Sequence, residues 1–148
     1  MTAEELRAAL IGTWRLVSYE ATSVRTGEIV RPYGDAPDGL IVYTPGGHVS
    51  VQVMRSDRTP FAGSALDEGR PEELAAAALG YIAYAGPFHV PDGQTVVHDV
   101  AVSLFPNWVS GAQRRTASVD GRTLRLGPAG RGVIGATRRD DVLTWERI

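Results

Sequence analysis

The chain has 148 residues and a mass of 15.9 kDa, enough for one domain with a sizeable core. A 43% hydrophobic and 22% charged composition is ordinary for a folded domain. The net charge of -2 and the scattered arginines exclude the basic stripe of a nucleic-acid binder. Cysteine is absent, which excludes thiol catalysis, disulfides and thiolate metal sites. All fifteen basic residues are Arg, read here as the codon bias of a GC-rich genome. The N-terminus lacks the apolar run of a signal peptide, and no stretch is apolar enough to span a bilayer. A cytoplasmic location is expected, with no membrane and no nucleic acid as partner.

Thr2-Ala3-Glu4-Glu5 is a capping-box pattern followed by Leu6, Leu10 and Ile11, so a short helix ending at Gly12 should cover one end of the core. Gly12 to Glu20 reads as the first strand. With Trp14 inward, period two places Leu16, Ser18 and Glu20 on the same face. Glu28 to Pro32 is a short strand, and Tyr33 to Gly39 a Gly/Pro/Asp loop. Leu40 to Thr44 and His48 to Met54 form a hairpin around Pro45-Gly46-Gly47. Pairing Thr44 with His48 puts Ile41, Tyr43, Val49, Val51 and Val53 on one face and Leu40, Val42, Ser50, Gln52 and Met54 on the other. Both faces are partly apolar, and the choice between them is open.

Arg55 to Arg70 has no periodicity, and a loop of that length suggests a lid or a disordered segment. Phe61 and Leu66 are its candidates for closing a pocket mouth. Pro71 to Gly80 has Pro and acids in its first turn and Gly at its end, the pattern of one short Ala-rich helix lying flat across the fold. Tyr81 to Leu126 supplies four strands, with Phe105 to Gly111 as a connecting loop that carries Trp108. Gly127 to Gly135 is Gly-rich without the context of a phosphate loop, and Val142 to Arg147 closes the chain as a strand with Leu143, Trp145 and Arg147 on one face.

Turn chemistry sorts the side chains of Tyr81–Leu126. Pro91-Asp92-Gly93 fits a three-residue hairpin loop, which pairs Val90 with Gln94, Phe88 with Val96, Gly86 with His98 and Tyr84 with Val100. The strand after it alternates, with Val96, Val100, Val102 and Leu104 on an apolar face that His98 interrupts. Asp120-Gly121 is a two-residue turn that sets Ala117 opposite Leu124 and Arg115 opposite Leu126. Tyr84, His98, Gln113 and Arg115 therefore point toward the face that should be buried. Buried polar groups cost free energy unless partnered, and a pocket with a polar end is one solution.

Many short strands separated by turn signals, with no repeat and no second domain, predict a single all-β domain over 1–148. A barrel is preferred to a sandwich, because the first strand carries an inward Trp and the last ends in Trp145-Glu146-Arg147.

Leu10-Ile11-Gly12-Thr13-Trp14-Arg15-Leu16 resembles the Gly-x-Trp opening of lipocalins. Tyr43-Thr44-Pro45-x-Gly47, Tyr84-x-Gly86-x-Phe88, Val97-His98, Phe105-Pro106-Asn107-Trp108-Val109, Gln113-x-Arg115 and Leu143-Thr144-Trp145-Glu146-Arg147 resemble the bacterial and fungal lipocalin-like domain family. The match runs over nearly the whole chain. It implies an antiparallel calycin barrel with an internal pocket, a short N-terminal helix and one short inserted helix. It also implies a structural pair, Arg147 stacked over Trp14. Asp99 stands after His98 where a second His would be expected, which argues against a two-His metal site.

His48 at a turn and His89 on the face opposite His98 do not converge with it, so no metal site is expected. Ser103 also faces away from His98 and no nucleophile elbow is present, which leaves no serine chemistry. The leading expectation is binding of a small apolar or aromatic, oxygen-bearing molecule inside the barrel. Tyr84, Phe88, Val96 and Val100 would line the site, His98, Gln113 and Arg115 would orient the polar end, and Trp108 and Phe61 would lie near the mouth. The alternative is a cofactor-independent cyclase or isomerase on a polyketide-like or terpenoid intermediate, with His98, Arg115 and Tyr84 as acid–base groups. A side-chain-filled barrel that binds nothing is a third reading. No cofactor is expected. Monomer and homodimer are both left open.

Overall fold

A computed structural model describes residues 1–128 and 139–148. The Gly-rich run 127–135 lies outside the described residues from 129 onward. Helix α1 (Ala3–Leu10) is followed by β1 (Gly12–Ser23), β2 (Ile29–Val30), β3 (Asp38–Tyr43) and β4 (His48–Met54). Helix α2 (Pro71–Leu79) precedes β5 (Tyr81–Asp92), β6 (Thr95–Asp99) and β7 (Val102–Ser103). The chain ends in β8 (Ala112–Asp120), β9 (Thr123–Pro128) and β10 (Arg139–Arg147). Antiparallel pairing runs β10-β9-β8-β6-β5-β4-β3-β1, and β1 also pairs with β10, so eight strands close on themselves. Short β2 and β7 attach to β1 and β5. Closure removes the unpaired edges of the eight-stranded sheet. No described helix is long and apolar enough to cross a membrane.

The turns at 44–47, 93–94 and 121–122 gather at one end, and α1 covers it. Thr2 and Glu5 form the reciprocal capping box, and Leu6 and Leu10 are fully buried beneath the helix. Arg7 reaches across to the Pro45 carbonyl, and a Cβ at Gly93 would collide with the Met1 carbonyl oxygen. The helix can therefore lie on the β5–β6 turn only because residue 93 has no side chain.

The Leu40–Met54 hairpin takes the expected register, Tyr43 opposite Val49, and buries Ile41, Tyr43, Val49, Val51 and Val53. Three other registers depart from expectation. In β1 a bulge between Leu16 and Ser18 leaves Val17 as the extra residue. Alternation resets after it, so Tyr19 and Ala21 turn inward and the expected Ser18 and Glu20 do not. The β5–β6 hairpin turns tightly at Asp92–Thr95 and has an irregularity before it, which pairs Phe88 with His98 rather than with Val96. The β8–β9 turn pairs Asp120 with Thr123, which sets Ala117 opposite Leu126 and Arg115 opposite Pro128. Both hairpins slip by two residues, and a slip of two preserves the face of every side chain.

Beyond Asp99 the chain stays along the same edge of β5 but bulges, so that β7 pairs with it one residue out of the β6 register. Gly86 is where the bulge presses on β5: a Cβ there would stand 1.9 Å from the Asp99 carbonyl oxygen. Ala101 N–H then bonds Ala85 O at 2.9 Å. The bulge leaves Val100 buried and turns Val102 and Leu104 outward, contrary to the unbroken alternation expected there.

The 55–70 segment is tied down rather than loose. Arg55 pairs with Asp57 at 2.9 Å, Ala62 N–H bonds Glu73, and the Ser64 and Ala65 N–H groups both bond Glu68. Helix α2, which buries none of its residues, lies beside this segment on the outside of the barrel.

A polar cluster inside the barrel

His98 projects from β6 into the lumen and is 1% exposed. Its two ring nitrogens are both engaged. Nε2 lies 2.8 Å from the Tyr43 hydroxyl and Nδ1 lies 2.8 Å from the Tyr84 hydroxyl. A neutral imidazole carries one N–H, so one phenol donates to the ring and the other accepts from it. The accepting phenol keeps its own O–H free for a further partner. Burial, and secondarily the Arg115 charge, lower the His98 pKa to about 3, so the ring is neutral at physiological pH. Burial likewise holds both phenols above the usual tyrosine range, and Arg115 pulls each of them back.

Register explains the convergence. His98 pairs with Gln113 on β8 and with Phe88 on β5, while Val96 pairs with Arg115. Gln113 and Arg115 are thus on the lumen face one residue pair apart, and Arg115 donates to Gln113 Oε1 at 3.3 Å. Phe88 meets Tyr43 edge to face, and Trp108 meets Tyr84 in the same way. Val96 and Val100 are buried beside them. Tyr84, Phe88, Val96, His98, Val100, Gln113 and Arg115 therefore share one interior, with Trp108 packed half-buried against it. Phe61 is not among them. Its ring stands close to Gly69 and Leu74 and lines an outer groove of about 550 Å³ between the 55–61 segment and α2.

Three interior groups were not singled out from the sequence. Tyr43 lay on a hairpin face that could not be chosen, although Ser50 and Gln52 on the other face favoured it. Tyr19 is turned inward by the bulge. Asp141 is 5% exposed and accepts a hydrogen bond from Tyr19 at 3.3 Å. Period two counted back from Leu143 would have found Asp141, had the last strand been begun earlier. Burial raises the Asp141 pKa, and Arg115 opposes that rise.

At the helix-covered end, Arg147 lies 4.1 Å over the Trp14 ring and donates to the Ile11 and Ala9 carbonyls. The indole N–H of Trp14 bonds Leu10 O at 2.9 Å. These bonds satisfy carbonyls at the C-terminal end of α1 and its exit, which the helix itself cannot pair.

Residues 11–148 match the lipocalin-like domain family. The chain belongs to that family. This lipocalin-like domain is 35% identical over 107 residues to the 4'-hydroxy-3'-methoxypropiophenone carrier protein ppsC of Aspergillus oryzae, a match covering 68% of this chain and 96% of that protein. A redesigned β-barrel of known structure superposes with a TM-score of 0.44 at 14% identity, over 97% of this chain and 95% of that one. His48 and His89 stay apart from the lumen of the lipocalin-like barrel. His48 follows the β3–β4 turn, and His89 pairs at 2.9 Å with Asp99 on the outer surface.

Proposed function

We propose that this domain is a carrier that holds a small apolar or aromatic, oxygen-bearing molecule inside its barrel. Tyr84, Phe88, Val96 and Val100 form its walls, Trp108 backs Tyr84, and His98, Gln113 and Arg115 orient the polar end of the ligand. One observation carries this reading. Arg115 is a buried cation, 7% exposed, whose hydrogen-bonding neighbours among the described side chains are neutral, Gln113 Oε1 at 3.3 Å and the Tyr84 hydroxyl. A buried cation is costly without acceptors, and a ligand carbonyl or hydroxyl oxygen supplies one. The relative from Aspergillus oryzae, named for carrying an aryl ketone, supports the same class of ligand.

The state of His98 favours carriage over acid–base turnover. A general base works best with a pKa near the operating pH, whereas this ring is held neutral with both nitrogens occupied. It fixes the two phenols in place.

The test is native mass spectrometry of the protein isolated from its own cells, followed by titration with 4'-hydroxy-3'-methoxypropiophenone. A one-to-one complex is expected, with Arg115→Ala weakening it about tenfold or more, the worth of one charged hydrogen bond. Absence of any copurifying compound, together with no binding of the ketone, would contradict the proposal.

A further inference from the structure

Among the described residues two charged side chains are buried, Arg115 and Asp141, and they have opposite signs. They sit on β8 and β10, on either side of β9. Arg115 pairs with Pro128 of β9, and Leu143 of β10 pairs with Leu126. Two residues along each of these strands bring Asp141 level with Pro128, so the two charges stand at one height. Both share a face with buried residues of their own strands, Arg115 with Ala117 and Asp141 with Leu143 and Trp145. Yet no ion pair joins them, since every ion pair among the described residues involves other, more exposed groups.

Each charge instead makes a long bond to a neutral neighbour. Arg115 donates to Gln113 at 3.3 Å and also has the Tyr84 hydroxyl beside it, and Asp141 accepts from Tyr19 at 3.3 Å. Charge-assisted bonds normally close to about 2.7–2.9 Å. They are nevertheless near enough to interact, because Arg115 counters the effect of burial on the Asp141 carboxyl. Opposite buried charges left unpaired forgo the attraction that offsets their desolvation. A simple anion would suit Arg115 and be repelled by Asp141, and a cation would meet the reverse. A neutral molecule with an acceptor at one point and a donor at another satisfies both.

We infer that Arg115 and Asp141 are the two poles of one recognition slot, and that the ligand carries a hydroxyl donor together with a carbonyl acceptor on one apolar body: a hydroxyaryl ketone, aldehyde or ester. Asp141 is then a specificity-determining residue that receives the ligand hydroxyl, while Arg115 holds the carbonyl oxygen. This inference rests on the carrier reading and adds the second polar point to it.

Calorimetric titration with four probes tests it: acetophenone, phenol, para-hydroxyacetophenone and para-methoxyacetophenone. Wild-type protein should bind the hydroxyl probe about tenfold or more tighter than the methoxyl probe, as one charged hydrogen bond implies. Asp141→Leu should bring the two within about twofold of each other and leave acetophenone unchanged, because only the donor contact is lost. Arg115→Gln should weaken all three ketones while sparing phenol. Asp141→Asn, which keeps the side-chain volume, serves if the Leu variant does not fold, and should lower the hydroxyl-to-methoxyl ratio at least about threefold. Ketone binding without hydroxyl preference in the wild type, or a ratio unmoved by either Asp141 variant, sinks the slot and leaves the carrier reading standing. If none of the probes binds, the carrier reading fails and the slot falls with it.

Discussion

The two ends of the barrel interior treat polar groups in opposite ways. At the helix-covered end, Arg147 has two backbone carbonyls and an indole face, and Trp14 has the Leu10 carbonyl. Every one of those partners belongs to the fold itself, so the cluster is complete without a ligand. In the middle of the barrel the partners are other side chains. His98 is saturated by Tyr43 and Tyr84, whereas among the described residues Arg115 has the neutral Gln113 and Tyr84, and Asp141 a long bond from Tyr19. Two arginines on one lumen thus have different roles. Arg147 is a structural clamp; Arg115 is the cation we propose to meet the ligand.

The sharpest break of that contrast is Trp14→Ala. Removing a fully buried indole from the closed end should cost about 3–5 kcal/mol, read from the denaturation midpoint. Next comes Tyr43→Phe, which strips one partner from a buried ring nitrogen and should cost about 1–3 kcal/mol. If the base is purely structural, an Arg147→Met variant that remains folded should bind ligand as wild type does. Tyr43→Phe should loosen His98 and Tyr84 together and change affinity as well as stability.

The pH dependence separates the regions further. His98 titrates near 6.5 when unfolded and near 3 when folded, so between those values only the unfolded chain binds the extra proton. Its contribution is therefore fully present above about pH 6.5 and fades as pH falls toward 3, by up to a factor of about ten in the folding equilibrium per pH unit. Asp141, whose folded pKa is raised, works with the opposite sign just above the ordinary carboxylate range. Subtracting the profile of His98→Gln from that of the wild type isolates the His98 part. A difference profile flat from pH 6.5 to 4 would remove the claim of a buried neutral ring.

The smallest effects belong to the rim. Trp108→Ala should weaken ligand binding several-fold, because Trp108 packs on Tyr84. Phe61→Ala should leave affinity within about twofold and stability within about 0.5 kcal/mol, because its ring is turned toward Gly69 and Leu74.

Much of this interior can be read from the chain, for a definite reason. Period-two alternation assigns Tyr84, His98, Gln113 and Arg115 to one face, and that assignment survives hairpins whose registers are each off by two residues. An error of one would have turned every side chain outward. What the alternation misses sits beside interruptions of it. Tyr19 follows the bulge at Val17, and Val102 and Leu104 lie past the bulge that Gly86 permits. Tyr43 shows the other limit: a strand with valine or isoleucine on both faces does not announce its buried side. Asp141 was hidden because an Asp-Asp pair before a strand reads as the solvated loop that usually precedes one.

Placement of the ligand within the barrel, against the polar cluster, is checked by titrating para-hydroxyacetophenone into isotopically labelled protein and following side-chain NMR signals. Shifts concentrated at Tyr84, His98, Gln113 and Arg115 are predicted. Shifts confined to the outer groove of Arg58, Phe61 and Ala77, or to the outer groove of Val17, Leu40 and Met54, with the lumen signals unmoved, would contradict it.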